Sequence, residues 1–219
     1  MGTSAHPIPD HERLSVRVPM VAGSAADVWA GSETLLLRQA WAASAPEGLA
    51  PTRVRLAHDG SSLRVRAELE DADVFSLATA DSQKLWELGD VFEMFFCPAD
   101  SDIYTEMQVA PGNHRLHLRL GPGDAHALRS GRLGIGDLAI CPPRFECKTT
   151  LVDGGWTLLA SIPLREIPGG ESPVPGSHWC ASFCRYDAFR DGRPPVLSSS
   201  SPHSVRDFHR LNEWTTLCF

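Results

Sequence analysis

The feature that most constrains the fold of this chain is the alternation of apolar and polar residues over short segments that are bounded by turn residues. Two hairpins follow this pattern: residues 53–69, which turn at Asp59-Gly60-Ser61-Ser62, and residues 145–162, which turn at Asp153-Gly154-Gly155. A period of two is typical of a strand with one face in the core, and a glycine-containing turn between two such segments predicts a β-hairpin.

Six other segments predict strands. Val91–Cys97 carries one charged residue, Glu93, among apolar neighbours, which is typical of a central strand covered on both faces. The other predicted strands are residues 14–18, 104–109, 114–120, 179–187 and 213–219. Together with the hairpins they make the chain rich in strands from end to end.

The register of the central strands follows from which residues must share the core face. Placing Met94 opposite Met107 sets Glu93 beside Gln108 on the other face. That second face therefore collects polar groups. The pattern predicts a three-strand meander with a charged, amide- and aromatic-lined surface.

Helical periodicity is weak throughout, and only short segments such as 163–167 are helical candidates. The sequence therefore predicts an all-β fold: a two-sheet antiparallel β-sandwich, jelly-roll-like in its connections, with few short helices. We expect residues 1–219 to form a single domain whose edge is wrapped by residues 1–52. Residues 198–206 are expected to form an exposed loop.

Charge and hydropathy exclude several classes of partner. The formal net charge of −7 leaves no excess of lysine and arginine to neutralise phosphates, so we expect no nucleic-acid partner. No apolar run approaches the roughly 20 residues that span a bilayer, and we expect no membrane association. The N-terminal residues lack the pattern of a signal peptide. We therefore expect a cytoplasmic protein as written, or a secreted one if the N-terminus has been processed.

The cysteines favour a reduced protein. They number six and fall mostly in apolar stretches, without a C-x-x-C pair: Cys97, Cys141, Cys147, Cys180, Cys184 and Cys218. A free cysteine packs as a small hydrophobe. We expect buried, reduced thiols, with disulfides as the alternative for a secreted form.

Metal-binding patterns are weak. An acidic cluster, Glu68, Glu70, Asp71 and Asp73, follows a predicted strand. Such carboxylates could hold calcium, and they are also typical of a solvated strand end. The metal site is left unknown, and no other cofactor is expected. His209 lacks metal-ligand spacing; it is either a structural hydrogen-bonding residue or a ligand contact.

Catalytic signatures are absent: the sequence has no nucleophile elbow, P-loop, dinucleotide fingerprint or H-E-x-x-H. A glycan hydrolase using Glu93 and Glu106 is an alternative, because two carboxylates on adjacent strands can flank a cleft. A register that places Leu118 on Met107 would set Arg119 beside Glu106, however. A salt-bridged carboxylate has a lowered pKa and makes a poor general acid. We therefore expect no enzymatic activity.

Trp86 is the candidate for ligand binding. It precedes the buried strand 91–97 in a segment with loop character at the sandwich rim. A tryptophan there offers a flat apolar face on which a sugar ring can stack, while neighbouring polar side chains bind its hydroxyls. Core packing is the alternative role for this side chain.

These residues belong to a longer pattern that resembles family 9-like carbohydrate-binding modules, within the DOMON-like β-sandwich superfamily. The resemblance rests on the form LW-x-x-(G)D-V-x-E-x-F followed by Y-x-E-x-x-V-x-P and covers about residues 52–219. The matching pieces are Leu85-Trp86, Gly89-Asp90-Val91-Phe92-Glu93-Met94, Phe96, Tyr104-Thr105-Glu106-Met107, Val109-Ala110-Pro111, Gly155-Trp156, Ile162-Pro163, Phe183 with Arg185, and Asp207-Phe208-His209-Arg210.

The resemblance implies a jelly-roll-like sandwich that binds a mono- or oligosaccharide without catalysis. In sugar-binding members two tryptophans clamp a terminal sugar; Trp86 matches the first, whereas the second position falls at Ser198–Ser201 and has no tryptophan. Trp214 or Phe208 could substitute. Calcium sites of the family have no residue-by-residue match here. The expected partner is a carbohydrate, with an associated glycan-active enzyme.

The predicted ligand-binding residues are Trp86, Asp90, Glu93, Glu106, Arg185, His209 and Arg210. A different alternative is a related sandwich domain that holds haem or another cofactor, which would need an axial methionine or histidine. Met94 and Met107 lie on the predicted core face, where such a pair is more often packing.

Overall fold

The computed structural model describes residues 14–21, 28–44, 48–98, 101–169 and 173–219. Within these ranges the chain forms twelve strands and a few short helices. The strands are β1 (Ser15–Arg17), β2 (Thr34–Leu36), β3 (Thr52–His58), β4 (Ser62–Glu70), β5 (Val91–Pro98), β6 (Tyr104–Val109), β7 (Arg115–Leu120), β8 (Glu146–Val152), β9 (Gly155–Pro163), β10 (His178–Asp187), β11 (Val196–Ser199) and β12 (Thr215–Cys218).

The strands form two sheets, which confirms the predicted sandwich. The first sheet has the order β1-β12-β10-β5-β6-β7, with β11 paired to the second half of β10, and the second has the order β2-β3-β4-β9-β8. Every pair is antiparallel except β1 with β12. The described part of the first 52 residues contributes edge strands, β1 and β2, to the two sheets.

Both predicted hairpins form, as β3–β4 and β8–β9. The first turns on Asp59, whose Oδ1 accepts hydrogen bonds from the backbone N–H groups of Ser61 and Ser62 at 2.9 and 2.8 Å. Aspartate at such a position replaces a backbone partner and fixes the turn. The second turns at Asp153-Gly154, and Gly155 already begins β9.

Helices are short, as expected. They are α1 (Asp124–Arg129), α2 (Ile135–Leu138) and three 3-10 helices, Leu85–Glu87, Leu164–Glu166 and Leu211–Glu213. The helical candidate at 163–167 is confirmed by the second 3-10 helix, whereas α1 and α2 were not predicted. None of the helices in the described ranges is long and apolar enough to cross a membrane.

Two apolar clusters sandwich the first sheet. The inter-sheet core lies between the two sheets and includes Phe92, Met94, Met107, Phe183 and Trp156. The outer cluster lies on the opposite face of the first sheet and includes Phe95, Tyr104, Leu118, Phe208 and Trp214. The first sheet is therefore covered on both faces, which explains why β5 is buried at every position.

The register of β5 and β6 is the predicted one. Met94 pairs with Met107 and Glu93 with Gln108. The register of β6 and β7 was predicted one residue off.

In the structure Glu106 faces Leu118, and Arg119 faces Thr105 and is exposed. The leucines of β7 pack in the outer cluster, so His117 turns to the inner face, where its Nε2 lies 2.9 Å from Thr105 Oγ1. The predicted pairing of Glu106 with Arg119 is therefore wrong.

The prediction of an exposed loop at 198–206 is also wrong in its first half. Residues 196–199 form β11, and the serines of 198–201 are buried. Their hydroxyls are satisfied inside the fold: Ser199 Oγ lies 3.0 Å from Ser182 Oγ, and Ser200 Oγ accepts from the Phe183 N–H at 3.0 Å. A polar run can be buried when every group finds such a partner.

No two of the six cysteines, all of which lie in the described ranges, form a disulfide. Cys97 and Cys184 are buried, and Cys147, Cys180 and Cys218 are partly buried. Cys141 is exposed, so the expectation of a buried thiol is wrong at that position.

Candidate functional site

A pocket of about 310 Å³ lies on the outer face of the first sheet. Strands supply its floor, and segments outside the sheet supply its walls. The floor consists of Glu93, Glu106, Gln108, Tyr186 and Leu197; the walls consist of Lys84, Trp86 and Glu87, of Ala125, Leu128 and Arg129 in α1, and of Arg206, Asp207, Phe208 and His209. Its volume lies in the range of small-molecule sites.

Two carboxylates and an amide form a hydrogen-bonded group on the floor. Gln108 Nε2 donates to Glu93 Oε1 at 2.8 Å and to Glu106 Oε1 at 2.5 Å. All three side chains are less than 5% exposed. Gln108 Oε1 is buried and has no hydrogen-bond partner within the described ranges. We call these three residues the acidic floor.

Burial dominates the electrostatics of the acidic floor. It raises the pKa of Glu106 to about 7, an effect that the hydrogen bond from Gln108 opposes. Burial, and then the charge of Glu106, raise the pKa of Glu93 well above its ordinary value. Among the residues described, no arginine or lysine forms an ion pair with either carboxylate. The carboxyl groups of Glu93 and Glu106 therefore tend to hold a proton between them near neutral pH.

Trp86 lies in the 3-10 helix Leu85–Glu87 and forms part of one wall. Its side chain is half-buried against the outer cluster. Gly89 closes this loop with φ +137°, and a Cβ there would lie 2.6 Å from the Phe75 carbonyl oxygen. Only glycine combines that backbone conformation with so close a contact.

Asp90 anchors the same loop and does not line the pocket. It is fully buried, and its carboxylate accepts from the backbone N–H groups of Phe75 at 2.7 Å and Ala188 at 2.8 Å. Burial raises the pKa of Asp90 to about 7. Its contacts join three separate segments of the chain, which positions the loop that carries Trp86.

His209 also lines the pocket wall, in the closing segment 206–209, which lies far from Trp86 along the chain. Tyr104 Oη and His209 Nδ1 form a hydrogen bond of 2.7 Å, and burial raises the pKa of the Tyr104 phenol. Burial also lowers the pKa of His209 to about 4. The His209 ring is therefore neutral near pH 7 and offers the pocket one polar imidazole group.

The pocket wall carries cations that are mostly paired. Lys84 Nζ lies 3.2 Å from Glu87 Oε1, and Arg129 Nη1 lies 3.1 Å from Asp207 Oδ1. Arg206 is exposed and donates to the Pro195 carbonyl oxygen at 3.4 Å. The charges near the pocket mouth are therefore mixed in sign.

Arg185 and Arg210 lie outside the pocket lining. The Arg185 guanidinium is buried and bonded to Asp71, Asp187 and the Glu70 carbonyl oxygen at 3.0, 3.0 and 2.7 Å. Arg210 Nη2 lies 2.6 Å from Glu213 Oε1. Of the predicted ligand-binding residues, the pocket thus brings together Trp86, Glu93, Glu106 and His209, and not Asp90, Arg185 or Arg210.

The acidic residues that suggested calcium are dispersed. Glu70 pairs with Arg53 and Asp73 with Arg190. A different set, Asp71, Asp90 and Asp187, offers carboxylate oxygens within 4.8 Å of one another. Arg185 Nη2 already lies 3.0 Å from both Asp71 and Asp187, and both oxygens of Asp90 accept backbone N–H groups. This donor set does not fit an added cation, because a guanidinium supplies the positive charge.

The position of the second clamp tryptophan is occupied by the buried strand β11. Trp214 is fully buried and donates its Nε1–H to the Phe208 carbonyl oxygen at 2.8 Å. Phe208 and Tyr186 line the pocket. Phe208, not Trp214, is therefore the aromatic side chain of the closing segment that a ligand can meet.

A serine, a histidine and a glutamate are aligned beneath this segment. Ser182 Oγ lies 3.4 Å from His203 Nε2, and His203 Nδ1 lies 3.5 Å from Glu213 Oε2. All three are less than 5% exposed and none lines the pocket. A nucleophile needs access to its substrate, so the arrangement is structural. Met94 and Met107 likewise lie in the inter-sheet core, away from the pocket.

Several pocket residues were not predicted. Ala125, Leu128 and Arg129 lie in α1, which is too short to show a helical period in the sequence. Tyr186 is the second-last residue of β10, a strand that the alternation predicts. Gln108 is predicted beside Glu93 but not as a site residue. The signal for Gln108 was present: a buried amide between two glutamates on one face.

Comparisons with known proteins relate the chain to solved structures. No protein-family model matches the sequence, and no curated protein matches it. The structure is similar to a candidate carbohydrate-binding protein from Bacteroides uniformis, with TM-score 0.72, 17% identity and coverage of 95% of this chain and 100% of that one.

It is also similar to a carbohydrate-binding module of family 9 from Caldicellulosiruptor kristjanssonii. The complex with cellotriose has TM-score 0.61 and 17% identity, covering 93% of this chain and 92% of that one. The complex with glucose has TM-score 0.63 and 16% identity, covering 92% and 94%. The chain therefore has the family 9-like fold that the sequence resemblance implied.

Proposed function

We propose that this protein binds a carbohydrate in the pocket on the outer face of the first sheet and does not transform it. The observation that carries the proposal is the combination of an indole wall, Trp86, with a buried hydrogen-bonding floor. A sugar ring presents apolar C–H faces and polar edges. The pocket offers a surface for each.

The residues of the site have different roles in binding. Trp86 stacks on one face of the sugar, and Phe208 adds apolar contact in place of a second tryptophan. Glu93 and Glu106 bind donor groups of the ligand, and the His209 imidazole adds a polar contact from the wall. Asp90 acts through the loop that holds Trp86 and does not touch the ligand.

The acidic floor argues for binding without catalysis. Both carboxylates accept from the same amide nitrogen, Gln108 Nε2, and lie on neighbouring strands. A glycosidase needs its two carboxyl groups on either side of the scissile bond. Here both carboxylates lie side by side on the floor and share one amide, an arrangement that supports holding a sugar over cleaving it.

The fold supports the same function. Two of the similar solved structures are family 9 modules in complex with cellotriose and glucose. Since the identity is only 16–17%, the likeness in fold supports the proposal without specifying the sugar. We further propose that the domain works alongside a glycan-active enzyme, which it would hold near its substrate.

Titration calorimetry of the wild type against a glycan panel tests the proposal. We expect binding, and we expect Trp86→Ala to weaken it by about tenfold, the size of a lost aromatic stacking contact. Phe189→Ala is the matched control: Phe189 is a partly exposed aromatic residue that contacts Arg193 and does not line the pocket. A panel without any ligand would remove the proposal.

A further inference from the structure

The other buried carboxylates of the described residues are matched by cations or, at Asp90, by two backbone N–H groups. Asp71 and Asp187 share the Arg185 guanidinium, with nitrogen–oxygen distances of 3.0 Å. Glu213 lies 2.6 Å from Arg210 Nη2. An uncompensated buried negative charge is costly. Glu93 and Glu106 differ from these residues because they share only the neutral amide of Gln108 within the described ranges.

The acidic floor is also rich in unused acceptors. Gln108 commits both N–H donors of its amide to the two carboxylates, and its own Oε1 is buried without a partner. The Oε2 atoms of Glu93 and Glu106 make no hydrogen bond to any residue in the described ranges. Oxygen acceptors of three neighbouring side chains are therefore left without a donor or a paired cation among the described residues.

Resting on the proposed carbohydrate function, we infer that the ligand is an amino sugar whose ammonium group binds to Glu93 and Glu106. An ammonium carries three N–H donors and one positive charge. It would satisfy the acceptors and compensate the charge at once. A neutral hydroxyl supplies one donor and no charge, so it would leave part of the floor unmatched.

The cations at the pocket mouth do not oppose this assignment strongly. Lys84 and Arg129 are paired with Glu87 and Asp207, and Arg206 is exposed, where solvent and salt screen its charge. The acidic floor is buried and much less screened. The balance of charge at the bottom of the pocket therefore favours a cation.

Three trisaccharides with the same β-1,4 linkage separate the charge from the sugar shape. Triglucosamine carries ammonium groups at C2, triacetylchitotriose carries acetamides and cellotriose carries hydroxyls. Calorimetry at about pH 5, well below the ordinary pKa of an amine, should give triglucosamine an affinity about tenfold above cellotriose. That ratio corresponds to about 1.4 kcal/mol, in keeping with a charge-assisted hydrogen bond.

The double variant Glu93→Gln/Glu106→Gln keeps the shape of the floor and removes its charge. We expect its preference for triglucosamine over cellotriose to fall to within about twofold. The readout is this ratio of affinities, because both side chains also bind the hydroxyl groups of cellotriose. The control Glu146→Gln/Asp153→Asn removes two exposed acids of the second sheet and should retain the preference. This control separates the acidic floor from the general attraction of a protein with net charge −7.

A second readout does not depend on the variants. Because the acidic floor favours a proton, binding of an ammonium should release it, and calorimetry of the wild type in buffers of different ionisation enthalpy measures that release. Equal binding of all three trisaccharides, or no proton release, would overturn the inference and leave the proposed function standing. Failure of every trisaccharide and glycan to bind would overturn the proposed function itself.

Discussion

Arg185 in β10 of the first sheet and Asp71 after β4 of the second sheet form an ion pair with 3.0 Å between Nη2 and Oδ2. Their side chains are 1% and 3% exposed. Arg185 also bonds to the Glu70 carbonyl oxygen at 2.7 Å and to Thr52 Oγ1 at 3.2 Å. One guanidinium thus joins the two sheets beside the inter-sheet core.

Arg185→Met should destabilise the fold strongly. The substitution leaves Asp71 and Asp187 buried without their shared cation, and breaking a buried pair in this way costs about 3–5 kcal/mol. Urea denaturation measures the change. The control Arg53→Met removes an exposed pair with Glu70, which solvent screens and which should cost little stability. Similar losses in the two variants would contradict a special role for Arg185.

Glu106→Gln should stabilise the protein more at pH 8 than at pH 5. Burial raises the pKa of Glu106 from 4.5 to about 7, so the fold favours the protonated form. That preference contributes stability below the unfolded pKa and is lost as pH rises through 7.

Glutamine cannot ionise, so the variant does not lose this stability as the pH rises. We expect its gain in unfolding free energy over the wild type to be larger at pH 8 than at pH 5 by on the order of 1 kcal/mol or more. Urea denaturation of both proteins at the two pH values gives the comparison. Protonation of His209, whose folded pKa is about 4, lies below this window. A difference between variant and wild type that is the same at both pH values would refute the raised pKa.

Gly89→Ala should disrupt the loop that carries Trp86. The added Cβ would meet the Phe75 carbonyl oxygen at 2.6 Å in a backbone conformation at φ +137°. We expect a loss of about 3 kcal/mol or more together with weaker ligand binding. Gly192→Ala is the matched control, because Gly192 also has a positive φ, +80°, but its Cβ would meet nothing within 4 Å; about 1 kcal/mol is expected there.

Thiol labelling under native conditions should modify Cys141 first. Cys141 is exposed, whereas Cys97 and Cys184 are buried. Burial raises the pKa of Cys97 to about 11 and that of Cys184 well above its ordinary value, so neither forms the reactive thiolate. Mass spectrometry after a short exposure to iodoacetamide shows the order in which the thiols are alkylated. The variant Cys141→Ser should lack the fastest alkylation. Early modification of Cys97 would contradict its burial near the end of β5.

The sequence was sufficient for features that alternation alone specifies. The hairpins and the pairing of Glu93 with Gln108 follow from one buried face on each strand. It was insufficient for β7, because both faces of the first sheet are covered. With either face apolar, the rule that leucines point inward cannot choose between Leu118 facing Met107 and Leu118 facing Glu106.

The candidate site was predictable only where it lies on strands or within a recognised motif. Trp86, Glu93, Glu106 and His209 were found in this way. Arg185 was assigned to the ligand because nothing local reveals that its partner Asp71 lies 114 residues earlier. Long-range contacts of this kind come from the topology of the sandwich and leave no trace in residue spacing.

Glu93 and Glu106 lie on adjacent strands, so the backbone ladder fixes the distance between them whatever occupies the pocket. Trp86, α1 and residues 206–209 lie outside that ladder and can change without altering it. The pocket is thus divided into an invariant base and exchangeable sides. Grafting new sequences into the sides should change which ligands the pocket accepts, with the sandwich left intact.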